Sequence, residues 1–143
     1  MELVKKHDLR IFLDVMCALI GALFHFLFGG WSRPLLVLLV LMAIDYAAGT
    51  IAAHKNGEYD SSIGKQGVAR KLVYLSLVVV ARMIDLLLNL EQPMIQVAAI
   101  YGLAGHEIGS FLENISKAGY WVPAALKNGL AQLKQKSGDS DEV

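Results

Sequence analysis

Residues 41–53 read LMAIDYAAGTIAA. The stretch is apolar enough to dissolve in lipid, yet it carries Asp45 near its middle. An ionisable side chain at that depth costs about 3 kcal/mol on insertion scales and usually faces a protein interior or water. Asp45 therefore needs a reason: a proton site, a structural hydrogen-bonding group, or the wall of a pore.

Reading outward, the same apolar character recurs. A bilayer core about 30 Å thick takes about 20 mostly apolar helical residues. Four segments approach this, at about 11–28, 34–53, 72–90 and 94–112. The first ends at Gly29-Gly30 and Trp31, an interface anchor. Pro34 suits a first helical position, where its missing N–H costs little. The fourth follows Pro93 and is the least apolar. An open strand would leave backbone groups unsatisfied in lipid, so the expected fold is an all-α integral membrane protein of about four transmembrane helices. Three spans plus a re-entrant or interfacial fourth helix is the alternative.

Composition agrees. The chain has 143 residues, 55% apolar and 18% charged, whereas about a quarter of an ordinary soluble domain is charged. Its formal net charge is zero, so no global basic field favours nucleic acid. Cys17 is the single cysteine, which excludes an intrachain disulfide and a thiolate metal cluster. Lys5, Lys6 and Arg10 before an apolar run imitate a signal peptide. That run contains Asp14 and ends in GGWSRP rather than a small-x-small site, so it reads as a retained span.

The cationic residues set the expected orientation. With four spans and a cytoplasmic N-terminus, eleven of the thirteen Lys and Arg fall inside. They are Lys5, Lys6 and Arg10, then Lys55, Lys65, Arg70 and Lys71 in a 54–71 loop, then Lys117, Lys127, Lys134 and Lys136. Only Arg33 falls outside, and Arg82 lies within a span. Both termini are thus expected in the cytoplasm. The chain divides into a transmembrane domain, 1–122, and a cytoplasmic segment, 123–143.

The 54–71 loop is polar and rich in turn residues. Its Gly64-Lys65 pair fails as a phosphate loop, because the spacing from Gly57 is wrong and Gln66 stands where Ser or Thr is needed. It reads as a solvated cytoplasmic loop with an electrostatic anchor at Arg70-Lys71. After Pro123, Leu126, Leu130 and Leu133 share one helical face, with lysines elsewhere. A short amphipathic helix is expected here, Gly129 notwithstanding, either lying on an anionic leaflet or packing between subunits. The SGDSDEV end, 137–143, is an acidic tail.

Asp14, Asp45, Arg82, Asp85, His106 and Glu107 fall within or near the spans. Arg82 and Asp85 are three apart, share a helix face and are expected to pair. Asp45 and Glu107 have no partner in their own helix except His106, so they must be protonated, paired across helices, or wet. Six such residues are hard to hide in one chain of this size. His106-Glu107 fails the zinc-protease pattern, since Ser110 replaces the second histidine. No nucleophile, base and oxyanion holder come together, so neither an enzyme nor a metal or cofactor site is expected. Ala48 with Ala52, Gly49 with Ala53, and Gly105 with Gly109 are each four apart, a spacing that lets helix backbones approach. They serve either packing within one bundle or association of copies. The polar content of the spans favours association, which gives the charges shelter.

In order along the chain, Asp45 and Gly49 (D-x-x-x-G), Ser61, Ser62, Gly67, Arg70-Lys71 and Asp85 precede a second set: Glu107, Ser110, Glu113-Asn114, Gly119 and Pro123. This set resembles the phage holins of the clostridial toxin-secretion type, over about residues 45–123. His106 departs from the pattern, where Asn is expected. The resemblance implies a protein that accumulates in the bacterial inner membrane, oligomerises, and opens lesions that release an endolysin, or in some members a large toxin. The partners it implies are lipid, other copies of the chain, an endolysin acting without direct binding, and room for an antiholin. Asp45, Arg82, Asp85, His106 and Glu107 are then the lumen or trigger candidates. A small proton-coupled transporter or ion channel of the four-helix multidrug-exporter kind is the alternative, and a non-conducting scaffold is a third.

Overall fold

The computed structural model describes residues 2–57 and 60–138. The chain is all-α, with α1 (Glu2–Phe28), α2 (Arg33–Lys55), α3 (Ser61–Leu87), α4 (Met94–Lys117) and α5 (Ala124–Gly138). It forms two compact units, Met1–Ser32 and Arg33–Val143. The last residues of the acidic tail, 139–143, lie outside the described residues.

The first unit is α1. Its large side chains, among them Leu9, Ile11, Phe12, Leu13, Leu19 and Ile20, are exposed on all sides. Over 11–28, Asp14 and His25 apart, the helix is apolar on every side, which suits an apolar surround. It stops at Gly29 and Gly30, whose φ of 71° and 93° cost glycine little. Phe24 stacks on Phe28 and on Trp31, with ring centroids 4.9 and 4.3 Å apart.

In the second unit α4 is central and packs against α2, α3 and α5. The core holds Leu35, Leu38, Met42, Ala48 and Ala52 of α2, Val78 and Ala81 of α3, and Ile100 and Leu112 of α4. α2 and α4 run parallel: Arg33 and Pro34 lie near Tyr101, and Asp45 meets Asn114. α3 runs antiparallel to both, since Asp45 meets Lys71 and Asp85 meets Ile95.

Outside this core the distribution of polarity is inverted. Val37, Val40, Leu72, Val73, Val80 and Leu87 are each more than half exposed, while Asp45, Asp85 and Glu107 are each 1% exposed. Apolar side chains outward and carboxylates inward suit a hydrocarbon surround. Among the described residues two helices, His7–Phe28 and Arg33–Lys55, are long and apolar enough to cross a membrane by length and composition. The four expected spans thus reduce to two by this measure. α3 carries Lys65, Arg70, Lys71, Arg82 and Asp85, and these lower its apolar content.

The connection after α2 is shorter than the sequence suggests. α3 begins at Ser61, so most of the expected 54–71 loop is helix. The reason is packing by the smallest residues. A Cβ at Gly64 would lie 3.3 Å from the Tyr46 hydroxyl, and one at Gly67 3.3 Å from its ring. Tyr46 therefore lies directly against α3 there. At the other end α3 stops at Leu87 rather than 90, closed by a left-handed Asn89 (φ 50°). Leu90 N–H donates to Asp85 O and Asn89 N–H to Leu86 O, each at 3.1 Å, the Schellman pattern that satisfies terminal carbonyls. Gly119 (φ 76°) closes α4 in the same way.

The C-terminal helix folds back on its own chain. A Cβ at Gly109 of α4 would lie 3.5 Å from a Leu130 methyl of α5.

Candidate ion-pair site

Three helices each bring charge to one point. Asp45 lies in the middle of α2, Lys71 eleven residues into α3, and Glu107 past the middle of α4. The Lys71 ammonium donates to Asp45 Oδ2 at 2.9 Å and to Glu107 Oε2 at 2.6 Å. The side chain of Lys71 is 13% exposed and both carboxylates are 1% exposed. Asn114 Nδ2 donates to Asp45 Oδ1 at 3.0 Å. Arg70 Nη2 lies 3.5 Å from Asp45 Oδ2, its side chain half-exposed. Two carboxylates thus face two cations, and the cluster is formally neutral. Glu107 Oε1, also buried, has no hydrogen-bond partner among the described residues.

Helical spacing explains how the sequence builds this point. On α4, Glu107, Ser110 and Asn114 fall at i, i+3 and i+7, one face. On α3, Gly67, Arg70 and Lys71 fall at i, i+3 and i+4. On α2, Gly49 stands one turn beyond Asp45. A Cβ on Gly49 would come within 3.3 Å of Asn114 Nδ2, so the glycine leaves the space through which Asn114 reaches Asp45. A cavity of about 480 Å³ opens beside the cluster, lined by Asp45, Gly49, Arg70, Lys71, Ser110 and Asn114 among others.

Several expectations change. Asp45 and Glu107, without partners in their own helices, share Lys71. A single chain shelters them, and no second copy is needed for that. Lys71, expected as a loop anchor beside Arg70, is instead the buried centre of the cluster. Arg82 and Asp85 do not pair among the described residues. Asp85 accepts from Ile95 N–H and Gln96 N–H, each at 2.9 Å. The first amides of α4 lack intrahelical acceptors, and a carboxylate there also meets the positive end of the helix dipole. Arg82 keeps a buried Nε without a partner among the described residues. His106 is exposed and turns to Tyr74, whose hydroxyl lies 3.2 Å from Nδ1, with the rings edge to face. The small residues divide. Ala48, Ala52 and Ala53 are buried within the chain; Gly49 and Gly109 admit Asn114 and Leu130; and a Cβ at Gly105 would meet nothing within 4 Å. The sequence left pairing across helices open for Asp45 and Glu107 and placed Lys71 and Asn114 in the ordered pattern, but it did not name either as their partner. The i, i+3, i+4 spacing of Gly67, Arg70 and Lys71 was the available signal.

Asp45, Gly49, Gly67, Arg70, Lys71, Glu107, Ser110 and Asn114, which gather here, all belong to the ordered pattern, and comparison with known proteins agrees. The chain belongs to the bacteriophage holin family, whose model matches residues 22–135. It is 38% identical over 117 residues to an uncharacterized 14.9 kDa protein in the nagH 3′ region of Clostridium perfringens, covering 82% of this chain and 89% of that one. It is 37% identical over 122 residues to the Listeria innocua protein Lin0175, covering 85% and 86%. A probable holin of Bacillus phage phi105 is 28% identical over 113 residues, covering 79% and 83%. No solved structure matches the chain. With its apolar exterior and its family, this is a membrane protein of holin type.

Proposed function

We propose that the chain accumulates in the bacterial cytoplasmic membrane, associates with other copies, and opens lesions through which a cytoplasmic endolysin, or another large protein, leaves the cell. The observation that carries this reading is the formally neutral cluster of Asp45, Glu107, Lys71 and Arg70 inside a family member whose exterior is apolar. Such a unit can rest in lipid with its charges paired. Separating α3 from α2 and α4 would place the same charges on a surface that water can wet. In that opened form the charged faces line the lesion and the apolar faces meet lipid. A charge crossing the full membrane potential changes energy by about 2.3 kcal/mol per 100 mV, and part of this holds the closed form until depolarisation.

We place four helices, α1 to α4, across the membrane with both termini in the cytoplasm. The antiparallel order of α2, α3 and α4 supports this. So does the gathering of Lys55, Lys65, Arg70, Lys71 and Lys117 toward one end of those helices, the end that the positive-inside rule assigns to the cytoplasm. No enzymatic step belongs to this reading.

The test is induction in a bacterial host that co-expresses a cytoplasmic endolysin. Abrupt lysis with endolysin release is expected. Slow solute flux without release would instead select a small transporter or channel, and neither effect would select a scaffold.

A further inference from the structure

The apolar belt of the second unit is short on its α3–α4 flank. On α3, the apolar stretch begins just after Arg70 and Lys71; its helical part runs over 72–87, about 23 Å at 1.5 Å per residue, with Leu88 and Leu90 exposed in the turn that follows. Arg82 interrupts it only near its far end. On α4, a separate limit arises from α5. Leu130 packs on Gly109, and Lys127, Asn128 and Gln132, all exposed, stand within a turn of Leu130. Polar side chains of α5 therefore stand beside α4 at the level of Gly109. The part of α4 before that level is 94–109, again about 23 Å, with His106 exposed in its last turn. A typical hydrocarbon core is about 30 Å. α2 continues beyond this level, but in 47–53 it exposes only one large apolar side chain, Ile51.

We propose that the α3–α4–α5 flank holds a locally thinned bilayer, with Arg70 of α3 and Lys127 of α5 marking its cytoplasmic headgroup level. This rests on the multispan reading above and adds a physical activity to it. Mismatch of this size deforms the bilayer at a cost of fractions of a kcal/mol per Å. Copies that each carry a thin flank lower that cost by sharing one thinned patch, which draws them together and concentrates weakened bilayer where a lesion must open.

The experiment uses the full chain in phosphatidylcholine vesicles, with brominated lipids quenching Trp121, which is 82% exposed, in a Trp31→Phe background. Competition among dimyristoleoyl, dipalmitoleoyl, dioleoyl and dierucoyl lipids reads the preferred thickness. Preference for the dimyristoleoyl lipid over the dioleoyl lipid by about threefold or more is expected. Equal binding, or preference for dioleoyl or longer chains, would overturn the proposal. Lys127→Leu with Gln132→Leu extends the apolar face of α5, and the preference is expected to move to longer chains; an unmoved preference counts against the headgroup level assigned here. A nitroxide at Leu77→Cys in a Cys17→Ser background separates the two claims. A label that oxygen reaches and aqueous nickel does not keeps the spans in lipid whatever the thickness. A label in water ends the multispan reading and the thinning with it.

Discussion

Lys71 and Glu107, 36 residues apart in the chain, are joined by a hydrogen bond of 2.6 Å deep between α3 and α4. The same ammonium holds Asp45 of α2, so one side chain ties three helices. A buried pair is weak grounds for stability in itself, because taking charges from water is costly. Breaking it by removing one partner leaves an uncompensated charge and typically costs about 3–5 kcal/mol.

Lys71→Met is therefore expected to destabilise the folded chain by about that much, read as a lower unfolding midpoint in detergent. The triple change Lys71→Met, Asp45→Asn, Glu107→Gln removes the three buried charges of the cluster together and is expected to recover most of the loss. A triple variant as unstable as Lys71→Met would show that packing, rather than charge, made the difference.

The two glycines of similar appearance, Gly49 and Gly105, are expected to respond oppositely. A Cβ at Gly49 presses on the Asn114 amide, which cannot retreat without giving up its hydrogen bond to Asp45. Gly49→Ala is expected to cost about 1–3 kcal/mol. Gly105 has open space, and Gly105→Ala is expected to be neutral or to gain up to about 1 kcal/mol of helix propensity. Paired denaturation curves decide this.

Asp85 and Arg82 are expected to act independently. Asp85→Ala strips the start of α4 of its acceptor and should cost about 1–2 kcal/mol. Arg82→Leu removes a side chain whose buried Nε has no partner among the described residues and should be neutral or favourable. In a double-mutant cycle their coupling is expected to stay within about 0.5 kcal/mol. A larger coupling would restore the ion pair that their spacing suggests.

Orientation is open to labelling. Single cysteines at Lys65 and Glu91, in a Cys17→Ser background, are expected to react with an impermeant maleimide from opposite sides of the membrane, with position 65 reached only after the cell is opened. Both reacting from one side would remove the α3 span.

The helices were legible in the sequence because apolar runs, Pro34, Pro93 and the glycine turns each act locally. The start of α3 was not: 61–71 is polar, and it is helical because Gly64 and Gly67 fit under Tyr46, a contact 18 or more residues away. The site was half legible. Asp45, Asp85 and Glu107 stood out as carboxylates in apolar surroundings, but their partners came from other helices. Within a helix, spacing predicts proximity, and so Arg82 was matched to Asp85. The amides at the start of α4 compete for the same carboxylate, and nothing in the local spacing reveals them. Lys71 was disguised by its position at the edge of an apolar run, where a lysine ordinarily turns to water.

The central claim is that the Lys71 cluster holds the closed form of a lesion-forming protein. Its most direct measurement is lysis time in bacteria co-expressing a cytoplasmic endolysin, at matched membrane levels of wild type, Lys71→Met, and the triple variant uncharged at Asp45, Lys71 and Glu107. Abrupt lysis is expected in wild type, earlier lysis in Lys71→Met, and a return to late lysis in the triple variant. The same lysis time in all three, or slow leakage in wild type with the endolysin retained, would contradict it.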